Sequence, residues 1–196
     1  MPFLPKPIFI APSLLLLAAM LSGCSSQPAI RTYTVPKDVP DRLLGGILLL
    51  EDRGWFFKLS GPREDLDAKT DEFRGFLKSI KISPESQRPE WTLPEGWVVD
   101  DAPHEMRVAT ILVPLESKKN AELTVTVLPR EQGGDGVQYL LANINRWRDQ
   151  MGQGRVTSQD LDSIEQVEAD GTSVWLVSIP GRMKSGGMTP PFAGGS

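Results

Sequence analysis

Residues 43–59 decide the fold, and they read LLGGILLL, then EDRG, then WFFKL. The first part, Leu43–Leu50, is continuously apolar around the paired glycines Gly45 and Gly46. The second part, Glu51–Gly54, has the polar and glycine composition of a hairpin turn, and Trp55–Leu59 adds a run of aromatic side chains. Two such runs separated by a short turn predict a pair of antiparallel strands.

A helix is predicted directly after this hairpin. Ser60-Gly61-Pro62 opens the helix, because proline is favoured in the first turn and the acidic residues that follow suit the positive end of the helix dipole. The apolar side chains recur on one helical face, at Leu66, Phe73, Phe76, Leu77 and Ile80. Residues 83–90 are then predicted to form a polar linker.

A second group of elements follows the linker. The pattern predicts an extended piece over Trp91–Val99, strands over Arg107–Val113 and Glu122–Leu128, a helix from Val137 to Met151, and a hairpin from Ile164 to Ile179. Asp135 is the expected N-cap of that helix, Gly152 ends it, and Asp170-Gly171 forms the hairpin turn. A further strand is predicted ahead of the first hairpin, at Ile30–Val35.

The order of the elements favours an α+β fold. Helices stand between runs of strands, which disfavours a doubly wound parallel sheet. The pieces on either side of the linker are each too small for a generous core of their own. We therefore expect one antiparallel sheet with two main helices packed on it, in a single domain over residues 31–182 with a flexible Gly/Pro-rich tail over 183–196.

The N-terminus has the pattern of an export signal. One basic residue, Lys6, precedes an apolar run from Ile8 to Met20. A helix of that length spans only about 20 Å, which is short of the roughly 30 Å hydrocarbon core of a bilayer. A removable signal peptide over residues 1–23 is therefore favoured over a membrane-spanning helix.

This signal ends in Leu21-Ser22-Gly23-Cys24, which resembles the bacterial lipobox. The resemblance implies a diacylglyceryl group on the Cys24 thiol, cleavage before Cys24 and acylation of the new amine. The other interpretation is a buried structural cysteine. Because two or more acyl chains anchor a protein stably, we expect an exported protein, lipid-anchored to the cytoplasmic or outer membrane, with a short linker over residues 24–30.

Composition excludes several kinds of site and partner. A hydrophobic share of 40% is enough for a packed core, whereas a net charge of −4 disfavours nucleic acid as a partner. Cys24 is the single cysteine, which excludes a disulfide framework, a Cys-ligated zinc site and an iron–sulfur cluster. The sequence contains no cofactor motif and no metal-ligand spacing, so neither a cofactor nor a metal is predicted.

Several segments resemble an uncharacterised family of bacterial secreted lipoproteins. They are WFFKLSGP at residues 55–62, FLKSI at 76–80, WTLPEGW at 91–97 and ANINRWR at 142–148. The resemblance implies export and lipid attachment, and it implies no particular activity. The element order also looks like the PsbP-like fold in a circularly permuted form, in which the WFFK strand and its helix come first instead of last.

The candidate recognition patch lies on the second predicted helix, at Asn143, Asn145, Arg146 and Arg148. These residues flank Trp147, which falls on the apolar stripe and should be core. The two arginines could pair with carboxylates or cap strand carbonyls, which are structural roles. They could instead bind an anionic or peptide partner, because arginine dominates binding hot spots. The partner would then be an unknown protein or small ligand.

Two acidic loops support an alternative function. The single histidine, His104, lies in one of them, and the other contains Asp160, Asp162 and Glu165. Their oxygens could serve a hydrolase or a calcium-dependent enzyme, although neither loop has EF-hand spacing and no Gly-x-Ser-x-Gly elbow is present. A solvated acidic surface is the simpler interpretation. The sequence therefore favours a non-catalytic, membrane-anchored domain that binds a ligand or supports envelope structure.

Overall fold

The computed structural model describes residues 40–102, 106–117, 119–131 and 133–184. The helices are α1 (Arg63–Ala68), α2 (Thr70–Lys78), α3 (Gly136–Gln150) and a 3₁₀ helix over Ser158–Ser163. The strands are β1 (Asp41–Leu49), β2 (Arg53–Pro62), β3 (Lys81–Ile82), β4 (Pro89–Glu90), β5 (Val98–Val99), β6 (Ala109–Pro114), β7 (Asn120–Pro129), β8 (Glu165–Ala169) and β9 (Thr172–Gly181). The signal peptide, Cys24, the predicted strand at Ile30–Val35, His104 and the tail from residue 185 lie outside the described residues.

Seven of the described strands form one antiparallel sheet, in the order β5-β6-β7-β2-β1-β9-β8. The predicted hairpin is confirmed: β1 and β2 pair from Asp41 opposite Pro62 to Leu49 opposite Gly54. β9 pairs with the other edge of β1, and β7 pairs with the other edge of β2. The hairpin therefore occupies the interior of the sheet, which explains why β1 is apolar at successive positions rather than at alternate ones.

One face of the sheet is covered by α1 and α2. Leu44 and Leu48 of β1 point to this face, as do Phe57 and Leu59 of β2, and all four side chains are fully buried. The predicted helical stripe packs against them, with Leu66, Phe73, Phe76, Leu77 and Ile80 all buried. Trp97 stacks on Phe76 with ring centroids 5.6 Å apart and belongs to the same buried cluster.

The opposite face carries α3. Leu43 and Ile47 of β1 and Phe56 of β2 point to this side, where they meet a second cluster formed by Leu140, Ile144, Trp147 and Met151 of α3 and its C-cap. The indole of Trp147 lies edge-on to the Phe56 ring at 6.0 Å. The α+β prediction of one sheet with helices packed on it is thus confirmed, and the structure adds that the helices lie on opposite faces.

The paired glycines let both layers approach β1 closely. A Cβ on Gly45 would overlap the six-membered ring of Trp147, and a Cβ on Gly46 would lie 2.6 Å from Cδ2 of Leu77. Because successive strand residues point to opposite faces, one glycine serves each helical layer. The close approach of α2 and α3 to the central strand therefore depends on Gly45 and Gly46.

Three local predictions are confirmed at the ends of elements. The Asp135 carboxylate caps α3 by accepting hydrogen bonds from the backbone N–H groups of Val137 and Gln138. Gly152 follows the helix with φ +66°, a conformation that favours glycine. Asp170 and Gly171 both have positive φ, as a primed turn between β8 and β9 requires.

Two predictions about boundaries were wrong. Strand β2 continues through Ser60-Gly61 to Pro62, and the helical segment that follows is divided at Lys69 into α1 and α2. Residues 83–90 are not a simple linker, because their last two residues form β4, which pairs antiparallel with β3 directly before the segment. In both cases the polar residues and prolines could be read from the sequence, but the strands with which these segments pair could not.

Only part of the α3 side is covered by α3. The buried cluster beneath this helix draws its strand residues from β1, β2 and β9. Beyond them, Lys58 of β2 lies opposite Thr124 of β7, and Thr124 lies opposite Thr110 of β6. We call this half of the α3 side, on which none of the described helices packs, the helix-free face; its residues are Lys58, Thr110, Leu112, Glu122, Thr124 and Thr126.

Replacing Gly45 by alanine is expected to destabilise the protein by about 3 kcal/mol, since the new methyl group overlaps Trp147 in a core that is packed from both sides. Gly75→Ala is the matched control, because no atom lies within 4 Å of a Cβ at that helical position. The control should gain about 0.5–1 kcal/mol from helix propensity. Urea unfolding of both variants measures the two changes, and equal stability of Gly45→Ala and wild type would contradict this account of the core.

Candidate functional site

Lys58 lies on the α3 side of β2, in the middle of an otherwise apolar strand. Its neighbours Phe57 and Leu59 are fully buried on the opposite face, so strand alternation directs Lys58 towards α3. The side chain is half-buried, and its ammonium group donates a long hydrogen bond of 3.3 Å to Oε1 of Gln150. Its interaction with α3 is therefore with a neutral amide and not with a carboxylate.

Arg146 lies one turn before Gln150 on the same side of α3. Its guanidinium carbon is 6.0 Å from the centroid of the Phe56 ring, which is within cation–π range. Its Nε atom is buried and has no acceptor within the described parts of the chain. Within those parts Arg146 forms neither a hydrogen bond nor an ion pair, so the charge is only partly compensated by the aromatic ring.

Lys58 and Arg146 lie on the same side of α3, because the Lys58 ammonium group reaches Gln150, one helical turn after Arg146. Burial lowers the pKa of Lys58, and the positive charges of Arg146 and Arg107 lower that pKa further. Burial also lowers the pKa of Arg146. The pKa of Tyr139 is raised by burial, against an opposing effect from Arg146 and Arg130. The boundary between α3 and the helix-free face is thus a region of concentrated positive charge.

Comparison with other half-buried basic side chains shows what distinguishes these two. Five of them pair with carboxylates, in the contacts Arg42–Asp67, Arg53–Asp52, Lys69–Glu72, Arg74–Glu165 and Arg107–Glu122. Arg130 and Arg148 donate to backbone carbonyls. Glu122, on the strand β7 that pairs with β2 next to Lys58, forms an ion pair of 2.9 Å with Arg107. In the described parts of the chain, Lys58 and Arg146 therefore lack a counter-ion, although similarly buried cations around them have acceptors.

The structure divides the predicted recognition patch. The Asn143 side chain is buried and donates to the Tyr139 carbonyl at 2.8 Å. Asn145 both donates to and accepts from the backbone of Val156, at 2.9 and 2.8 Å. Arg148 donates to the Gly154 carbonyl. These three residues organise α3 and the loop after it, and only Arg146 faces the positively charged boundary.

A cavity of about 360 Å³ lies on the other flank of α3, between the 3₁₀ helix and the β8–β9 hairpin. Arg148, Asp160 and Glu165 line it together with apolar side chains such as Ile144 and Val156. The Asp160 carboxylate accepts from the backbone and hydroxyl of Thr157 in a capping box, which lowers its pKa. The hydrogen bond from Arg74 lowers the pKa of Glu165. Both acidic groups thus have structural partners.

Lys58 is not among the site residues predicted from the sequence. A signal was present, because a lysine interrupts a strand whose other residues from 55 to 59 are all apolar. At such a position the ammonium group must either find a partner or reach solvent. Only the structure shows that Lys58 reaches α3 at Gln150, one helical turn after Arg146, which is 88 positions later in the chain.

The lowered pKa of Lys58 makes stability depend on pH in a defined direction. Between the lowered folded-state pKa and the ordinary value of 10.5, the unfolded chain binds more protons, so the free energy of unfolding rises with pH in that window. The difference in the free energy of unfolding between wild type and Lys58→Met isolates the contribution of Lys58, because the titration of Tyr139 is common to both proteins. We expect Lys58→Met to be more stable than wild type at pH values below this window, and the difference in stability to shrink as the pH rises through it. A difference in stability that does not change with pH would contradict the burial of the charge.

None of the family models, curated proteins or solved structures compared with the chain matches it. In the described ranges, no three His, Cys, Asp or Glu side chains gather as metal ligands, and no helix is both long and apolar enough to cross a bilayer. What the protein binds must therefore be inferred from the chemistry of its own side chains.

Proposed function

We propose that this protein is an exported lipoprotein, anchored through lipid on Cys24 to the cytoplasmic or outer membrane, whose domain is a non-catalytic binding module for a negatively charged ligand. The observation that carries the binding proposal is the Lys58–Arg146 pair, two half-buried cations without a counter-ion at the edge of the helix-free face. The membrane anchor is supported by the export signal and the lipobox-like end of that signal.

The energetics of these two charges favour a binding role over a structural one. A partly buried cation loses hydration, and without a carboxylate it regains little of that free energy within the fold. An apolar side chain of similar length at either position would avoid this cost. Functional sites are rich in groups whose charged state is made unfavourable by burial and by neighbouring charges of the same sign. An anion between Lys58 and Arg146 would supply the missing interaction.

The length of the tether is compatible with a domain that works close to a bilayer. Residues 25–40 lie between Cys24 and the start of β1 at Asp41. Even a fully extended chain of that length reaches only about 55 Å. The start of β1 therefore stays within that distance of the lipid when Cys24 is acylated.

The alternative is a hydrolase or a calcium-dependent enzyme that uses the acidic loops near His104 and Asp160. Its support is the cavity that brings Asp160 and Glu165 together beside α3. Thr157 and Arg74 already hold these two carboxylates. The non-catalytic proposal is favoured because Lys58 and Arg146 have no counter-ion among the described residues, whereas Asp160 and Glu165 already have partners.

Thermal melting separates the two proposals. Because the carboxylates of Asp160 and Glu165 are engaged, we expect the Tm to stay within about 1 °C when calcium or EDTA is added to the purified protein. A ligand that binds only the folded state raises stability with its concentration. A Tm that rises with calcium and falls with EDTA would therefore favour the calcium-dependent alternative.

The anchor is tested by Cys24→Ser. Without the thiol that accepts lipid, we expect the protein to leave the membrane fraction, and mass spectrometry of wild type should show a mature N-terminus at Cys24 carrying acyl groups. Ser22→Ala is the matched control, because it alters a neighbouring small residue and leaves the thiol in place. Membrane-bound, signal-cleaved Cys24→Ser would overturn the anchor proposal.

A further inference from the structure

We propose that Lys58 and Arg146 together hold a doubly charged oxyanion, the phosphate monoester group of a ligand that extends over the helix-free face. This inference rests on the proposed function as a binding module, and it names the class of ligand for that same site. Three features carry it: the free donors of the two side chains, their uncompensated charge, and the surface beside them.

The free donors suit an oxyanion. The ammonium group of Lys58 has three N–H donors, and only one is engaged, in the long bond to Gln150. The guanidinium of Arg146 has five N–H donors, and none has an acceptor in the described chain. A planar guanidinium can donate two parallel hydrogen bonds, as a fork, to a tetrahedral anion, and an ammonium group beside it adds a compact positive charge.

The charge balance selects a dianion over a single carboxylate. Lys58 and Arg146 contribute two uncompensated positive charges, and Arg107 adds to the potential that Lys58 experiences. Glu122 neutralises Arg107 at 2.9 Å and leaves the other two charges unmatched. One carboxylate would compensate one charge, whereas a phosphate monoester, with a second pKa near 6, carries close to two negative charges at neutral pH.

The neighbouring strand residues fit the remainder of such a ligand. Thr124 lies directly opposite Lys58, and its hydroxyl makes only a long 3.4 Å contact with the Lys58 carbonyl, so it is available to an anion. Further along the same side, Leu112 lies opposite Val98, which is 58% exposed. Glu122, which lies opposite Leu112 on this side, is paired with Arg107. A ligand whose anionic group lies at Lys58 and Arg146 would therefore meet the Thr124 hydroxyl first and the apolar side chains of Leu112 and Val98 within a few strand spacings of about 5 Å.

The test measures binding of three probes to the purified full chain by titration calorimetry. Inorganic phosphate and phenyl phosphate present the dianion, and acetate presents a single carboxylate. We expect phosphate and phenyl phosphate to bind at least tenfold more tightly than acetate. Lys58→Met and Arg146→Met should each weaken phosphate binding at least tenfold, and Lys81→Met, which removes an exposed lysine on β3, should leave it unchanged.

Folding of the variants is checked in the absence of ligand. Because each substitution removes an uncompensated half-buried charge, both should melt at or above the wild-type Tm. Should Arg146→Met unfold because its stem packs on Phe56, Arg146→Lys keeps one charge without the fork, and its phosphate affinity should lie between those of wild type and Lys58→Met. Equal phosphate affinity in wild type and Arg146→Lys would overturn the assignment of a fork at the site.

The source of the phosphate is resolved by vesicles. Vesicles that contain phosphatidic acid expose a phosphate monoester, whereas phosphatidylglycerol exposes a diester with one charge. Cosedimentation of Cys24→Ser with the first and not the second supports a lipid headgroup as the ligand, while binding of phenyl phosphate without cosedimentation supports a soluble monoester. Both outcomes agree with the proposal.

Two results distinguish a failure of this inference from a failure of the proposed binding function on which it rests. If acetate binds as tightly as phosphate and both are lost in Lys58→Met, the dianion is wrong and the anion-binding module stands. If no probe binds wild type, or if every variant binds like wild type, both proposals are overturned.

Discussion

The whole architecture depends on one strand that is buried from both sides. β1 places Leu44 and Leu48 under α1 and α2, and Leu43 and Ile47 under α3, so its backbone is shared by two cores. Two helical layers can approach such a strand only where it lacks side chains, and Gly45 and Gly46 provide one gap on each face. Trp147 fills the first gap and Leu77 the second. The positions of both layers, and hence of every group on α3, follow from this arrangement.

Much of the fold could be predicted because its signals are local. The apolar run at residues 43–50 and the aromatic run after it are confirmed as the central hairpin, and Asp135, Gly152 and Asp170-Gly171 are confirmed as a cap, a helix end and a turn. The side of the sheet on which each helix packs could not be derived, because it depends on contacts between elements far apart in the chain. The same limit explains the error at residues 83–90, because Pro89–Glu90 pair with Lys81–Ile82, which directly precede the segment.

The candidate site was only partly visible in the sequence. Arg146 could be singled out because it borders the apolar stripe of α3 without belonging to it. Asn145 and Arg148 lie on the other flank of the helix, where the loop that follows α3 folds back and hydrogen-bonds to them through Val156 and Gly154. Their roles depend on the path of that loop, which no periodicity reports. Lys58 became significant only when β2 and α3 were brought together, because each cation is ordinary when considered alone.

The two cations belong to different layers, since Lys58 is part of the sheet and Arg146 is part of the helix that lies on it. An anion held by both would act as a non-covalent cross-link between strand and helix. Its binding free energy would add to the free energy of docking α3, by an amount that grows with the logarithm of ligand concentration. The empty domain would consequently open more readily at α3 than the occupied one. The rate at which proteases degrade the protein would then fall as the ligand concentration rises.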